Sequence, residues 1–440
     1  MRRSHRSLFS AVVVLVSLAL VVGAAVLLLR ALPKKQPGTV DTIQTGAVFD
    51  QTNSTAAPDR EQAYEGELPN LSDTVESETP TEPADEAASA AAKLAEQTLD
   101  AMTLEEKLWQ LFFVTPEAIT GVETATLAGD ATKAALEAMP VGGLVYFAKN
   151  LENRAQTATL LANSQSYSKI PLFLGVDEEG GTVSRLKTSG LDIDTGVGTM
   201  QSVGESADPA AAYAAGQEIA GSLHALGFNL DFAPVADVSS GKNAAIGSRS
   251  FGTDPELCAS MAGIISDALT DGGIIPCLKH FPGYGGATAD DHEGSVTVDK
   301  TLEELESCDL IPYRRLLADQ NVPFIMVTHL SYPALTGGDT PADLSSEIVT
   351  DLLRNKLGYT NVIITDSHQM ASITDHYTSA EAAVAAIAAG CDMVLMPEDL
   401  QEAFDGLKAA VENGTLTEAR INESVRRILT VKANYNLLTE

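Results

Sequence analysis

The sequence predicts an α/β chain built as a (β/α)8 TIM-type barrel, preceded by an N-terminal transmembrane helix and a disordered acidic linker. Three observations lead there. Strand-length apolar segments alternate with Ala-rich stretches of helical period over some 350 residues after Ala88, the pattern of a parallel sheet with crossover helices. Several of these segments end in polar residues: Asp177 to Glu179, Lys279-His280, Thr328-His329, Thr365-Asp366 and Pro397-Glu398. A barrel gathers such strand ends on one face, where its active site is built. The doubly wound alternative lacks its G-x-G-x-x-G fingerprint, and no G-x-x-x-x-G-K-[ST] phosphate loop occurs.

At the N-terminus, Arg2, Arg3 and Arg6 precede an uncharged run from Ser7 to Leu29, and Arg30, Lys34 and Lys35 follow it. That run is long enough to span a bilayer. It continues through Val26-Leu27-Leu28-Leu29 beyond the small-residue patch Gly23-Ala24-Ala25, whereas a cleaved leader ends its apolar stretch at such a patch. Residues 1–35 are therefore expected to be an uncleaved single-pass anchor in the cell membrane, with the body extracytoplasmic. Residues 36–91 read as a disordered acidic linker, with twelve acids and one base, Arg60, up to Ala87, too charged and too polar to fold. Residues 92–440 read as the barrel. Its start carries a Thr103-x-x-Glu106 capping box, and its strand segments include 141–147, 171–176, 229–235, 274–278, 324–327, 362–364 and 392–396.

The composition narrows the function classes. Of 440 residues 45 % are hydrophobic and 20 % charged, which excludes a mainly disordered or collagen-like chain. The net charge of −32 would repel a phosphate backbone, so nucleic acid is not an expected partner. Cys258, Cys277, Cys308 and Cys391 form no C-x-x-C pair, which leaves neither a zinc ribbon nor a thioredoxin-type motif.

Two places carry candidate chemistry. The stretch Lys279 to Gly294 is a Gly- and Pro-rich loop on a strand end, with Asp290 and His292 two residues apart. An aspartate beside a histidine fixes its tautomer and stabilises its cation, which makes a proton donor and acceptor near neutral pH. An acidic surface turn is the other reading. His280, Asp290 and His292 are metal ligands by type but lack metal-site spacing. The second place is Asp366, at the end of the apolar segment 361–366, where it is either a rigidly held nucleophile or the cap of the next helix.

Taken together, Lys279-His280-Phe281-Pro282-Gly283 followed by Asp290-x-His292, then Leu353-Arg354-x-x-Leu357-Gly358-Tyr359 leading to Ile364-Thr365-Asp366, resemble glycoside hydrolase family 3. The similarity is to its single-barrel β-N-acetylhexosaminidases and extends through Val176-Asp177-Glu178-Glu179-Gly180-Gly181, Asn229 to Val238, Arg249-Ser250-Phe251-Gly252 and Gly390 to Pro397. The resemblance implies a retaining, exo-acting enzyme for terminal β-linked N-acetylglucosamine, with cell-wall glycans as substrate class and peptidoglycan turnover as setting. It implies no metal and no organic cofactor. Asp366 would be the nucleophile, His292 the general acid/base with Asp290 its partner, and Asp177, Arg185, Arg249, Lys279 and His280 the sugar-binding residues. Some family members add a second domain that supplies a glutamate as acid. Here the loop histidine is expected to take that role.

The match departs at Tyr284 and Gly286, where the family usually has histidine and aspartate, and at Thr182, where arginine is common. After the nucleophile Ser367 and His368 stand in place of aspartate and an aliphatic residue. These departures keep two rivals open, a β-N-acetylglucosaminide phosphorylase using the same residues and a non-catalytic glycan-binding protein of the envelope. Tyr284 either stacks on a sugar or fills its loop. His329 either lines the pocket or makes a structural hydrogen bond. His224, Trp109, Cys277 and Cys391 read as packing residues.

Overall fold

Eight short parallel strands close on themselves in the computed structural model, which describes residues 82–439 apart from 192, 242–243, 288, 290–293 and 319–321, and the side chains from residue 90 on. Residues 1–35, expected to be an anchor, the expected linker up to residue 81, and Asp290 and His292 lie outside the described residues. The strands are β1 (Phe112–Val114), β2 (Gly143–Val145), β3 (Phe173–Val176), β6 (Leu230–Asp231), β7 (Ile275–Phe281), β8 (Phe324–Val327), β9 (Val362–Ser367) and β10 (Met393–Leu395). A two-stranded hairpin, β4 (Glu178–Gly180) and β5 (Val183–Ser184), stands outside the barrel. The closing seam pairs β1 with β10, Phe112 opposite Val394. No described helix is long and apolar enough to cross a membrane.

Each of the seven sequence-derived strand segments overlaps one barrel strand, and β7 and β9 run three residues beyond theirs. β1 was not among them, because three apolar residues directly after a helix carry no period of their own. The helix Glu82–Ala101 begins inside the stretch read as linker. The capping box closes as the sequence implied: the Glu106 amide donates to Thr103 Oγ1 at 3.2 Å and the Thr103 amide to Glu106 Oε2 at 2.9 Å.

Aromatic rings fill the barrel. Phe113 meets Phe232 edge-on at 5.1 Å, Phe173 meets Phe324 edge-on at 5.0 Å, and Phe113 and Phe173 lie parallel at 6.4 Å. Room for Phe113 comes from two glycines. A Cβ on Gly143 or Gly175 would stand 2.7 Å from its ring, a distance no side chain tolerates in a close-packed core. At the base, the buried Lys432 of the helix Glu418–Asn434 donates to Gln110 Oε1 at 2.7 Å and sits 4.9 Å from the Phe173 ring centre. Trp109 stacks on Phe404 at 3.9 Å, and Cys277 and Cys391 are buried, all packing as expected. His224 corrects that reading: it is exposed on the helix Pro209–Leu226.

Candidate active site

At the C-terminal ends of the strands opens a cavity of about 450 Å³, lined among others by Asp177, Arg185, Arg249, Lys279, His280 and Asp366. All five residues expected to bind sugar thus meet the expected nucleophile in one place. Parallel strands bring them there because their C-terminal ends share one rim.

Irregular strand register aims several of them. Between Leu278 and Phe281 three steps along β7 match the two from Ile325 to Val327 on β8. Between Ile364 and Ser367 three steps along β9 match the two from Met393 to Leu395 on β10. Each is a β-bulge, an extra residue that bends the strand and redirects side chains. The first carries Lys279 and His280, which both face the cavity although neighbours in a regular strand alternate. The second carries Thr365 and Asp366. There the Thr365 hydroxyl accepts from the Leu395 amide at 3.0 Å and donates to the Asp366 carbonyl at 2.7 Å, taking the place of lost ladder bonds. Asp366 is therefore part of β9 and not a helix cap, since the next helix, Ala371–Thr374, begins after Met370.

One ion network spans the cavity wall. Lys279 Nζ reaches Asp177 Oδ1 at 2.9 Å and Glu179 Oε1 at 2.7 Å. Arg249 grips Glu179 with two parallel bonds, Nε to Oε2 and Nη2 to Oε1, both 2.8 Å. Arg185 Nη2 lies 3.3 Å from Asp177 Oδ2, with its guanidinium 5.4 Å from the centre of the Phe147 ring. Burial alone would raise the Glu179 carboxyl, but Lys279 and Arg249 outweigh it and hold it far below the usual carboxylate range. Lys279 is the mirror case: burial favours the neutral amine, and Asp177 and Glu179 overcome that to hold it charged. Glu179 comes from β4, whose turn needs Gly180 and Gly181 at φ of 81° and 59°.

His280 is fixed from both sides. Its Nδ1 lies 2.7 Å from Asp237 Oδ2 and its Nε2 3.2 Å from Arg249 Nη2. A guanidinium only donates, so Nε2 accepts and Nδ1–H donates to Asp237. The other Asp237 oxygen accepts the Tyr284 amide at 2.6 Å, placing the Tyr284 ring against the cavity with its centre 5.5 Å from that of His280. For the Asp366 carboxyl, burial acts upward, while His280, His329, the Ser367 amide at 2.7 Å and Lys279 act downward and prevail. An ionised carboxylate on a rigid strand, facing a cavity rich in donors, can attack an electron-poor carbon.

Glu179 and Asp237 were not singled out from the sequence, although both lie in quoted motifs. They act through other side chains, and the available signal was a carboxylate two or three residues beyond the end of an apolar segment. His329 does not line the cavity. It is buried, and its Nε2 donates to the Ser367 carbonyl at 2.9 Å.

The sequence pattern described as the Glycosyl hydrolase family 3 N terminal domain matches residues 103–431. A beta-hexosaminidase of Chromobacterium violaceum is 36 % identical over 288 residues, covering 64 % of this chain and 78 % of that protein. Beta-hexosaminidase A of Pseudoalteromonas piscicida is 33 % identical over 321 residues, 66 % of this chain and 53 % of that one, so the chain spans about half the length of that relative. A solved glycoside hydrolase family 3 beta-N-acetylglucosaminidase from Paenibacillus sp. str. FPU-7 superposes with a TM-score of 0.72 at 34 % identity, covering 77 % of this chain and 64 % of that structure.

Proposed function

The chain belongs to glycoside hydrolase family 3, and on that premise we propose that it is a retaining, exo-acting β-N-acetylhexosaminidase that removes terminal β-linked N-acetylglucosamine. The observation that carries this reading is the ionised Asp366 carboxylate facing one cavity with Asp177, Arg185, Arg249, Lys279 and His280.

In the proposed first step a carboxylate oxygen of Asp366 bonds to the anomeric carbon while the glycosidic C–O bond breaks, and His292 gives its proton to the departing oxygen. In the second step His292 takes a proton from water, the resulting hydroxide oxygen bonds to the same carbon, and the Asp366 oxygen leaves as a carboxylate. A histidine suits both halves because its unperturbed pKa is about 6.5, and Asp290 holds it in one tautomer. The donors of Arg185, Arg249 and Lys279 hold the sugar hydroxyls and the acetamido group. Cell-wall fragments are the proposed substrate class, with the N-terminal segment holding the enzyme at the membrane.

A chromogenic β-N-acetylglucosaminide assayed with and without phosphate tests the reading. Release of free sugar at a rate indifferent to phosphate is the expected result. A sugar phosphate as product identifies a phosphorylase instead, and sugar binding without turnover identifies a glycan-binding protein. Trapping with a fluorosugar and mapping the labelled peptide is expected to place the label on Asp366.

A further inference from the structure

Behind the cavity, on the side of β8 and β9, lies a cluster that the proposed reaction does not use. His329 follows β8, Asp343 sits in the tight turn Ala342–Leu344, and His368 follows β9. All three are buried, and one ligand atom from each lies within 4.8 Å of the others. None of them lines the cavity. His329 Nδ1 is 3.0 Å from Asp343 Oδ1, and His368 Nε2 is 2.9 Å from Asp343 Oδ2, so one carboxylate is flanked by two imidazoles.

The hydrogen bonds decide what the cluster can hold. The Ser367 carbonyl can only accept, so His329 carries a proton on Nε2. That leaves Nδ1 as the ring atom turned toward the carboxylate, 3.0 Å from Oδ1. Asp343 Oδ1 is buried with no hydrogen-bond partner among the described residues, and so is His368 Nδ1. Nitrogen and oxygen bind zinc at about 2.0 to 2.2 Å, so donors about 3 Å apart match two ligands of one ion. A metal-bound histidine also typically donates its second ring N–H to a carbonyl or carboxylate, as His329 does to Ser367.

We propose that His329, Asp343 and His368 form a buried site for one divalent cation of the zinc class, with two imidazole nitrogens and a carboxylate as donors. The ion is structural and takes no part in bond cleavage: it ties the loop after β8 to the end of β9, one residue past Ser367. The site belongs to this chain rather than to the family pattern, since the resemblance expects an aliphatic residue where His368 stands. It rests on its own geometry and not on the proposed activity.

The test uses the full chain, stripped with a chelator, dialysed against zinc and measured by elemental analysis, with cobalt(II) as spectroscopic probe. One equivalent of zinc is expected to survive dialysis and to raise Tm. The cobalt protein is expected to show a low-coordinate d–d spectrum and two paramagnetically shifted imidazole N–H resonances, a readout that needs no variant. His368→Leu is expected to lower retention at least tenfold, while His292→Ala and His376→Ala keep the equivalent. A stripped, folded protein that retains no zinc, or an equivalent that follows His292 rather than His368, overturns the site.

Discussion

Thr365 bears on its neighbour through a single oxygen, which takes the Leu395 amide and gives its proton to the Asp366 carbonyl. Thr365→Val keeps the shape and removes both bonds, leaving a buried amide unpaired. It is expected to cost about 1 to 3 kcal/mol of stability and to lower kcat by more than it raises KM, since the carboxylate it aims would wander. Urea unfolding and Michaelis kinetics separate the two effects. Asp366→Asn is expected to reduce turnover roughly a thousandfold or more while sugar binding persists, and wild-type rates in that variant would remove Asp366 from the chemistry. His292→Ala is expected to lose about 10²- to 10⁴-fold on substrates with poor leaving groups and much less on good ones. Equal losses on both would contradict a proton-donor role. Residues that end a strand and face the cavity, such as Lys279 and Asp366, were legible because position and chemistry coincide in the sequence. Glu179 and Asp237 were not, because their importance lies in which cation or ring they hold, and those partners stand far off in the chain.

Among elements, the strongest example of distant partners is Asp392, at the start of β10. It is buried and pairs with Arg354 of the helix Glu347–Lys356, with Arg427 at 2.9 Å and with Arg420 at 3.9 Å, both from the helix Glu418–Asn434. Its oxygens also accept from Ser424 and from the Ile363 amide. One carboxylate thus joins two helices to adjacent strands. Asp392→Ala is expected to cost about 3 to 5 kcal/mol, because three cations lose their counter-charge. Burial acts to raise this carboxyl, and Arg354, Arg427 and Arg420 overcome it, so its pKa is lower folded than unfolded. Such an acid lends stability that is complete above the unfolded pKa, near 4, and is lost as pH falls through the folded one. The Tm gap between wild type and Asp392→Asn is therefore expected to be full at neutral pH and to shrink below about pH 4. A gap that widened on acidification would refute the pairing. Seven of the eight strands could be located from apolar runs alone. The eighth, β1, and both bulges could not: a run of three has no measurable period, and a bulge is a mismatch between two strands, invisible in either one.

For the molecule as a whole, the negative charge is not confined to the acidic stretch that precedes the barrel. Residues 88–440 carry a net −27, so the catalytic body is strongly acidic in its own right. We propose that the basic-flanked apolar run at residues 1–35 holds that body at a membrane. Full-length protein expressed in bacteria is expected to sediment with membranes and to resist alkaline carbonate, whereas a chain lacking residues 1–35 is expected in the soluble fraction with unchanged kcat. Release of the full-length chain by carbonate would contradict the anchor. The barrel itself was legible because alternation repeats along the chain and survives local errors. The seam between β1 and β10 has a further consequence, for biosynthesis. Phe112 must wait for Val394, so while the chain emerges from the ribosome its first strand offers bare amides and carbonyls along one side, a template on which another nascent chain could pair. Until the late-made strand arrives, that side of β1 has no partner in the barrel.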